Sequence, residues 1–231
     1  MQRSALAVLR PEALDWLRPQ LQPVTLVAGQ VLYEVNAPIE HVYFLEEGIV
    51  SLAADSGSKG LVEVGLSGRE DLVGVQALLS ADAIHVHRSV VQIPGRALRM
   101  RTAAFRDAAD SLSALRDRCL RSIQVNLAQV SQTACCNARH RLPARLARWL
   151  LIVRDRVDSD ELMLTQEFLS YMLGVRRAGV SVVASSLQGM GLIRQGRGRV
   201  VVLDRGGLKN QACICYQVIQ EARQRIMGSA R

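Results

Sequence analysis

The segment from Thr102 to Leu142 contains neither glycine nor proline, the residues that most often interrupt helices. Within it, apolar residues recur at alternating steps of three and four, a spacing typical of a two-stranded coiled coil. We therefore expect one long helix that pairs with the same helix of a second copy. The predicted dimer interface consists of Leu120, Ile123, Leu127, Val130 and Ala134.

An alternative interpretation is that this stripe packs on the chain's own N-terminal part. A second apolar edge at Leu112 and Leu115 can fill that role, which leaves the first stripe available to a partner. The expected organisation is an N-terminal domain at 1–110, a dimerisation helix at 111–140 and a C-terminal domain at 141–231.

Short β-prone runs separated by glycine-containing turns precede the helix. No segment long enough for a crossover helix interrupts them, so they predict a compact antiparallel barrel or roll. A short amphipathic segment at Pro11–Leu17 comes before the first run. The runs are Val24–Val27, Val31–Val35, His41–Leu45, Ile49–Ala53, Leu61–Leu66, Ser89–Ile93 and Ala97–Arg101.

The positive charge of the chain is concentrated after the helix. The whole chain has a net charge of +8, but residues 1–138 carry −1 and residues 139–231 carry +9. Such a basic unit predicts a polyanionic partner. The longest apolar stretches, such as Trp149–Val153, are too short to cross a membrane, and the N-terminus has polar breaks where a secretory signal would be apolar. We expect a cytoplasmic protein without membrane contact.

The basic part has the pattern of a helix-turn-helix followed by a β-hairpin. Thr165 is a good N-cap for a first helix at Gln166–Met172, Gly174 fits the turn, and Arg176–Gly189 forms the second helix. The sequence Gln195–Gly198 then predicts a hairpin turn between two short strands. This order is the outline of a winged-helix DNA reader.

Helices are also predicted on both sides of this reader. Pro143 can begin one, because its missing N–H costs nothing in a first turn. A polar linker is expected at Asp155–Glu161, and a single closing helix at Leu208–Met227.

The second helix of the reader carries arginines at its N-terminal end. Val175, Val180, Val183 and Leu187 are spaced to face inward, which leaves the arginines outside. Arginine can pair bidentately with guanine N7 and O6; the alternatives for these two arginines are binding to phosphate and solvation alone. The arginines at the wing tip are expected to contact phosphates, with solvation alone as the alternative. The candidate DNA-binding residues are Thr165, Gln166, Arg176, Arg177, Gly179, Ser181, Ser185, Arg194, Arg197 and Arg199.

Residues Leu164–Arg194 resemble the helix-turn-helix and the start of the wing in the Crp/Fnr family of bacterial transcription regulators, and the resemblance extends over nearly the whole chain. It implies an α+β fold: an N-terminal antiparallel β-roll like a cyclic-nucleotide-binding domain, a long dimerisation helix and a C-terminal winged helix-turn-helix. It further implies a homodimer that places its second reader helix in the major groove of double-stranded promoter DNA, with RNA polymerase as a further candidate partner. Arg177 matches the family's base-reading arginine. Ala178 stands where the best-known members have glutamate, so their DNA sequence does not carry over.

The segment Gly68–Leu79 resembles the phosphate-binding cassette of that roll. In nucleotide-binding members a glutamate after the second glycine holds the ribose hydroxyl, whereas here Val75 follows Gly74. A buried hydroxyl without a partner costs about 1–3 kcal/mol. We therefore expect weak or no binding of cyclic AMP, and the effector is unknown.

Arg88 and Ser89 match the family's pair that holds the cyclic phosphate. Arg88 either binds another anion or pairs with a local carboxylate such as Glu70. The candidate effector-pocket residues are Leu72, Val73, Gly74, Val75, Arg88, Ser89 and Ser131.

The cysteines form no recognisable sensor motif. An iron–sulfur sensor needs about four thiolates, and the family's oxygen sensors place theirs near the N-terminus and in the roll, which have none here. Cys135 and Cys136 are adjacent on a predicted helix, and Cys213 and Cys215 lie two apart on another. We interpret them as buried structural thiols and leave a redox role open.

Metal binding and catalysis have little support in the sequence. His85 and His87 would share one face of an extended segment, but no partner lies at a known ligand spacing. The sequence lacks a P-loop, a dinucleotide fingerprint and a nucleophile elbow. We predict no enzyme, no catalytic residue, no metal and no cofactor. The rival hypothesis is a small-molecule or anion-binding sensor module without direct transcriptional control.

Overall fold

The N-terminal part is an antiparallel β-roll, as the spacing of its β-prone runs predicts. Each predicted run overlaps a strand of this computed structural model, which describes residues 5–57 and 60–228, although the first two runs extend beyond their strands, to Val27 and Val35. The strands are β1 Gln22–Leu26, β2 Val31–Tyr33, β3 His41–Leu45, β4 Ile49–Asp55, β5 Leu61–Ser67, β6 Leu72–Val73, β7 Arg88–Ile93 and β8 Gly95–Arg101. In the described part they lie in sheets with the orders β1-β8-β3-β6 and β2-β7-β4-β5. Strand β6 was not predicted, because two residues are too few for a periodic pattern.

Helices at the ends of the roll close its apolar interior. Helix α1 is Pro11–Leu17, as predicted, and it buries Leu17. Helix α2, Thr102–Ser111, buries Phe105, whose ring lies 6.2 Å from that of Phe44 on β3. These contacts hold the segment after β8 against the roll.

The prediction of one uninterrupted helix after the roll is wrong. The structure divides it at Leu112 into α2 and α3, which is Ser113–Arg139, and the separately predicted helix α4 follows at Leu142–Val157. Leu112 is extended, with φ −117° and ψ 94°, and its side chain packs against the core of the roll. Arg141 is also extended before α4 begins. The absence of glycine and proline permits a helix, but burying Leu112 requires a turn that the sequence period does not reveal.

The C-terminal part has the predicted winged helix-turn-helix. Pro143 lies in the first turn of α4, which confirms the helix expected there. The other elements are β9 Glu161–Leu162, α5 Gln166–Leu173, α6 Arg177–Gly189, β10 Ile193–Gly196, β11 Arg199–Val202, α7 Arg205–Gln211 and α8 Cys215–Met227. The wing sheet has the order β10-β11-β9, and all its pairs are antiparallel.

Two predictions around the reader are wrong. The closing helix is interrupted, because Ala212 is extended (φ −72°, ψ 149°) between α7 and α8. The polar linker begins later than expected, because α4 continues through Asp155. The Asp155 carboxylate accepts hydrogen bonds from the Tyr216 hydroxyl at 2.5 Å and from Arg205 at 3.1 Å. These partners lie about 50 or more residues away, so local composition could not indicate them.

The described chain divides into two compact units. One comprises residues 5–52, 65–127 and 223–228, and the other comprises 53–57, 60–64 and 128–222. Within the second unit, the Trp149 indole N–H donates to a carboxylate oxygen of Glu63 at 2.7 Å, and both side chains are buried. Across the described ranges, no helix combines the length and apolarity that crossing a bilayer requires.

Candidate nucleic-acid interface and effector region

Helix α6 is held by an apolar stripe on one side. Val180, Ala184 and Leu187 are buried, at the spacing expected for one face of a helix. Val183 and Val175, which were predicted to face inward, are half-buried at the edge of this stripe. Arg176, the N-cap, and Arg177, the first helical residue, are exposed. The reader therefore presents two guanidinium groups at the N-terminal end of α6.

The turn between α5 and α6 has its expected geometry. The Thr165 hydroxyl accepts a hydrogen bond from the Phe168 N–H at 3.1 Å, so it caps α5. Gly174 ends α5 with φ +62°, a conformation that favours glycine. A Cβ at this position would also lie 3.2 Å from Val62. The backbone before α6 is thus fixed by a cap, a left-handed turn and a close neighbour.

Glutamine side chains join the wing to the reader helices. The Gln166 side-chain amide donates to the side-chain oxygen of Gln195 at 3.0 Å, and the Gln195 backbone N–H donates to the side chain of Gln188 at 2.7 Å. Gln195 lies on β10, Gln166 on α5 and Gln188 on α6. These bonds hold the wing next to both helices.

A cleft of about 440 Å³ opens between the first turn of α5, the start of α6 and the wing tip. It brings together five of the ten residues that the sequence analysis predicted for DNA binding. They are Thr165, Gln166, Arg177, Arg197 and Arg199. The lining includes three arginines and one carboxylate, Glu167, so its net charge is positive and the cleft is suited to an anionic partner.

The other predicted DNA-binding residues lie outside this cleft. Arg194 and Ser185 are exposed, and Ser181 is half-exposed on α6. Gly179 is half-buried instead, and a Cβ there would lie 3.6 Å from Leu142 of α4. Gly179 thus faces α4, which makes it a packing position in this structure.

Val182 belongs to the exposed face of α6 but was not predicted. Its side chain is 70% exposed, one helical turn after the exposed Ala178. An inward stripe at positions 180, 184 and 187 already implies that position 182 faces away, so helical phase could have identified it.

The predicted dimer interface lies on an exposed face of α3. Leu120 is 47% exposed and Leu127 is 66% exposed, whereas Leu115, Cys119 and Val125 are buried within their own chain. Val130 is half-exposed, and Ala134 is exposed. Ile123 differs from the prediction, because it packs against the core of the roll and part of its surface is already covered. The uncovered apolar face of α3 therefore consists of Leu120, Leu127, Val130 and Ala134.

The candidate effector residues of the cassette are packed into the roll. Leu72, Val73 and Val75 are buried in its apolar core. Gly74 has φ +87°, and a Cβ there would lie 2.7 Å from the Tyr33 hydroxyl and 2.8 Å from the His41 carbonyl oxygen. The backbone turn of the cassette is therefore closely surrounded by protein atoms.

A buried histidine lies beside the predicted phosphate-binding serine. The His85 ring stacks on Tyr33 with 4.6 Å between ring centroids, and its Nε2 lies 3.3 Å from the Ser89 hydroxyl oxygen. Its Nδ1 lies 2.5 Å from the His87 carbonyl oxygen. Burial lowers the pKa of His85, which favours the neutral ring. A neutral ring can donate from Nδ1 while Nε2 accepts from Ser89.

Arg88 is paired with a carboxylate, but not with the one suggested from the sequence. Its guanidinium lies 3.0 Å from the Glu34 carboxylate. Glu70 contacts a different arginine, because its backbone carbonyl oxygen accepts a hydrogen bond from Arg118 at 3.0 Å. Ser131, the candidate contributed by the long helix, is exposed on α3. Both members of the Arg88–Ser89 pair thus have protein partners.

Three of the cysteines meet a histidine in the second unit. Ligand atoms of Cys136, His140, Cys213 and Cys215 all lie within 4.8 Å of one another. The expectation that Cys213 and Cys215 share a helix is wrong, because Cys213 lies between α7 and α8. Cys135 is exposed and outside this group, so the expectation of a buried thiol is wrong for this residue. Cys136 and His140 are four residues apart, a spacing that places two metal ligands on one face of a helix. This signal was missed because the cysteines were considered only as two pairs.

The thiols of this group influence one another. The Sγ atoms of Cys136 and Cys213 are 3.4 Å apart, and with Cys136 as donor this hydrogen bond lowers the pKa of Cys213. The same hydrogen bond, together with burial, raises the pKa of Cys136. The Gln132 side-chain amide donates to Sγ of Cys215 at 3.0 Å.

Two family models match consecutive parts of the chain. The cyclic nucleotide-binding domain matches residues 23–111, and the Crp-like helix-turn-helix domain matches residues 144–211. No curated protein sequence matches the chain significantly.

Solved structures share the fold at low sequence identity. FixK2 from Bradyrhizobium japonicum is 18% identical, with a TM-score of 0.71 over 84% of this chain and 98% of that one. The c-di-GMP-responsive global regulator CLP from Xanthomonas campestris is 17% identical, with a TM-score of 0.67 over 84% and 100%. A CRP-family transcriptional regulator from Thermus thermophilus is 22% identical, with a TM-score of 0.68 over 82% and 96%.

The order of the parts agrees with both family models. The first model covers the β-roll, and the second covers α4, the two reader helices and the wing. A roll and a Crp-like reader on one chain make this protein a member of the Crp/Fnr family of transcription regulators.

Proposed function

We propose that this regulator is a homodimer that reads a specific double-stranded DNA sequence through α6 and the wing. The observation that carries the proposal is the cleft that gathers Arg177, Arg197 and Arg199 between the reader helices and the wing. Catalysis is not part of the proposal, and a cytoplasmic location follows from the proposed target. RNA polymerase is a further partner within it.

The arginines at the start of α6 support an anionic partner. A helix N-terminus carries partial positive charge, so a cation there is less favourable than an anion. Arg176 and Arg177 lie at this end, and the wing adds exposed cations at Arg194 and Arg197. A phosphate backbone would compensate this concentration of positive charge, and Arg177 could reach a guanine edge in the major groove.

The exposed apolar side chains of α6 suggest what else it reads. Ala178 and Val182 occupy the exposed face on which Ser181 and Ser185 also lie or border. Apolar side chains in the major groove contact the thymine methyl group, and serine can bond to several bases. We therefore propose a half-site that combines a guanine, read by Arg177, with a neighbouring thymine, read by Val182.

The wing residues have unequal roles in this proposal. Arg199 is paired with Glu161 at 2.9 Å, so part of its charge is already compensated. Arg197 lies at the tip beside Gly198, which has φ +71°. We assign Arg197 to phosphate contact, which adds affinity without sequence preference.

Dimerisation is proposed through the exposed face of α3. Leu120 and Leu127 are large apolar side chains spaced seven residues apart, and the opposite face of the helix is buried within the chain. A second copy of the same helix would cover them with matching residues.

The roll is proposed not to respond to cyclic AMP. Val75 is buried where a ribose-binding carboxylate would be needed, Arg88 is paired with Glu34, and Ser89 adjoins His85. A nucleotide would have to separate these partners without gaining a carboxylate for its hydroxyl. A sensor module without transcriptional control is the second candidate, and the absence of any selected DNA sequence would favour it.

The first prediction concerns DNA sequence preference. Selection from random DNA is expected to recover an inverted repeat with half-sites about 34 Å apart. Arg177→Ala should reduce discrimination at one base pair of each half-site by about 5- to 150-fold, because it removes a bidentate contact. Arg197→Ala is the matched control, and it should lower the affinity for all DNA sequences alike. The slope of log affinity against log salt concentration should fall by about one phosphate contact per subunit. Equal loss of specificity in both variants would contradict this assignment.

The second prediction concerns the oligomeric state. Leu127→Glu should give monomers in sedimentation, because a carboxylate in the proposed dimer interface would be buried without a partner charge. Leu79→Glu is the control, since Leu79 is similarly exposed but lies on the roll. A Leu127→Glu protein that remains a tight dimer would show that this face of α3 is not the dimer interface.

The third prediction concerns cyclic AMP. Millimolar cyclic AMP should change the affinity for the selected DNA by less than about twofold, and calorimetry on the full chain should detect no micromolar binding. A tenfold gain in DNA affinity, about 1.4 kcal/mol of coupling, would overturn it.

A further inference from the structure

We propose that Cys136, His140, Cys213 and Cys215 form a tetrahedral binding site for one divalent metal ion of the zinc class. Cys136 lies near the end of α3 and His140 just after it, while Cys213 and Cys215 lie at the junction of α7 and α8. The ion would bind whether or not the chain regulates transcription, and none of these residues belongs to the proposed DNA interface.

The distances between ligand atoms fit a single ion. Zn–S bonds of about 2.3 Å in a tetrahedron place two sulfurs about 3.8 Å apart, and a sulfur and a nitrogen about 3.5 Å apart. Cys136 and Cys213 are 3.4 Å apart at Sγ, and Cys215 Sγ lies 3.5 Å from Nδ1 of His140. All ligand atoms lie within 4.8 Å of one another. The ligand atoms would need only small shifts to close around an ion.

Local backbone structure explains why the four side chains converge. Cys136 and His140 are four residues apart at the end of a helix, which places them on one face. Ala212 is extended before the second pair, Cys213 and Cys215 are buried, and Ile214 between them is 60% exposed. This alternation turns both thiols inward and the intervening side chain outward. The interruption between α7 and α8 therefore has the effect of presenting two ligands together.

The charges around the group favour a bound thiolate site. Three thiolates, one neutral imidazole and one divalent ion carry a net charge of −1. Arg148 is buried, only 4% exposed, and its Nε has no hydrogen-bond partner within the described ranges. Its positive charge acts on both Cys136 and Cys213. The Gln132 amide, which donates to Cys215, would stabilise a second thiolate.

A single zinc ion fits this ligand set better than an iron–sulfur cluster does. Sulfur and imidazole ligands in a tetrahedral arrangement are typical of structural zinc sites, which include three cysteines with one histidine. An iron–sulfur cluster distributes its ligands over several irons, so its outermost sulfurs lie farther apart than the ligands of one ion. Four protein ligands also leave no open position, which favours a structural role over a catalytic one.

Binding involves no oxidation or reduction. Each thiol loses one proton as its sulfur forms a bond to the ion, so up to three protons are released to solvent, and His140 binds as the neutral imidazole. The alternative is a disulfide between Cys136 and Cys213, which would remove two electrons and two protons and would leave Cys215 and His140 without a role.

The effect of the ion would be to tie the end of α3 to the segment before α8. Without an ion, the end of α3 and this segment are joined by the Gln132–Cys215 and Cys136–Cys213 hydrogen bonds, whose sulfur donors and acceptors are weak. A metal bound only in the folded state stabilises that state by mass action. Removal of the ion should therefore lower the stability of the second unit.

The test is the metal content of the full-length protein, isolated from cells under reducing conditions and freed of any histidine tag. Elemental analysis should find about one zinc ion per chain. Cys135→Ser is the matched control, because Cys135 is adjacent in sequence but exposed and outside the group, and it should retain the metal. Cys213→Ser and His140→Gln should each lower the content at least tenfold.

Cobalt substitution gives a second measurement that does not depend on the stability of a variant. The wild-type protein with Co²⁺ should show the intense visible bands of a tetrahedral site and near-ultraviolet thiolate-to-cobalt bands, as should Cys135→Ser. Chelation of the native metal should lower the thermal unfolding midpoint, and added zinc should restore it.

Several outcomes would overturn the proposal. One is a wild-type chain that holds no zinc and gives no tetrahedral cobalt spectrum although its thiols are reduced. Others are a Cys136–Cys213 disulfide found by mass spectrometry, iron with cluster absorbance, or zinc contents that are equal in all variants, which would indicate an adventitious ion only.

Discussion

The burial of one apolar stripe on α6 determines what the reader can present to a partner. Val180, Ala184 and Leu187 fix the rotation of the helix about its own axis. Since an α-helix has 3.6 residues per turn, a shift of the stripe by one position would rotate the helix by about 100° and move Arg177 out of the cleft. The Gln166–Gln195–Gln188 bonds then fix the wing against the same helices. The proposed DNA interface is therefore a consequence of packing on its opposite side.

The roll keeps the backbone turn of the cassette without a carboxylate at position 75. The cassette turn still needs Gly74 in a left-handed conformation, but Val75 contributes to the core instead of offering a carboxylate. Arg88 is paired with Glu34, and Ser89 lies beside His85. A ligand that binds either residue would have to displace its protein partner.

Most strands and the helix-turn-helix could be predicted because their signals are local. Alternation, glycine turns, the Thr165 cap and Gly174 each act within a few residues. The breaks at Leu112 and Ala212 could not be predicted in this way, because distant segments pack beside them: Leu112 contacts the core of the roll, and Cys213 and Cys215 pack against Cys136. The same limit applies to the thiol group, since Cys136 and Cys213 are 77 residues apart.

The ion pair of Arg88 was likewise only partly predicted from the sequence. A local carboxylate such as Glu70 was expected near Arg88, but the partner is Glu34, which is farther away in sequence. Residues 34 and 88 meet because β2 pairs with β7, a register that no short-range pattern encodes. Which side chains of α6 are exposed follows from one helical period, whereas the Arg88–Glu34 pair depends on strand pairing.

Methylation interference on the selected DNA measures whether Arg177 contacts a guanine edge in the major groove. Methylation at N7 blocks the acceptor that a bidentate arginine uses. We expect one methylated guanine per half-site to prevent binding of the wild-type dimer but to have little effect on Arg177→Ala, which has already lost the contact. Equal interference in both proteins, or no interference in either, would contradict the proposed contact.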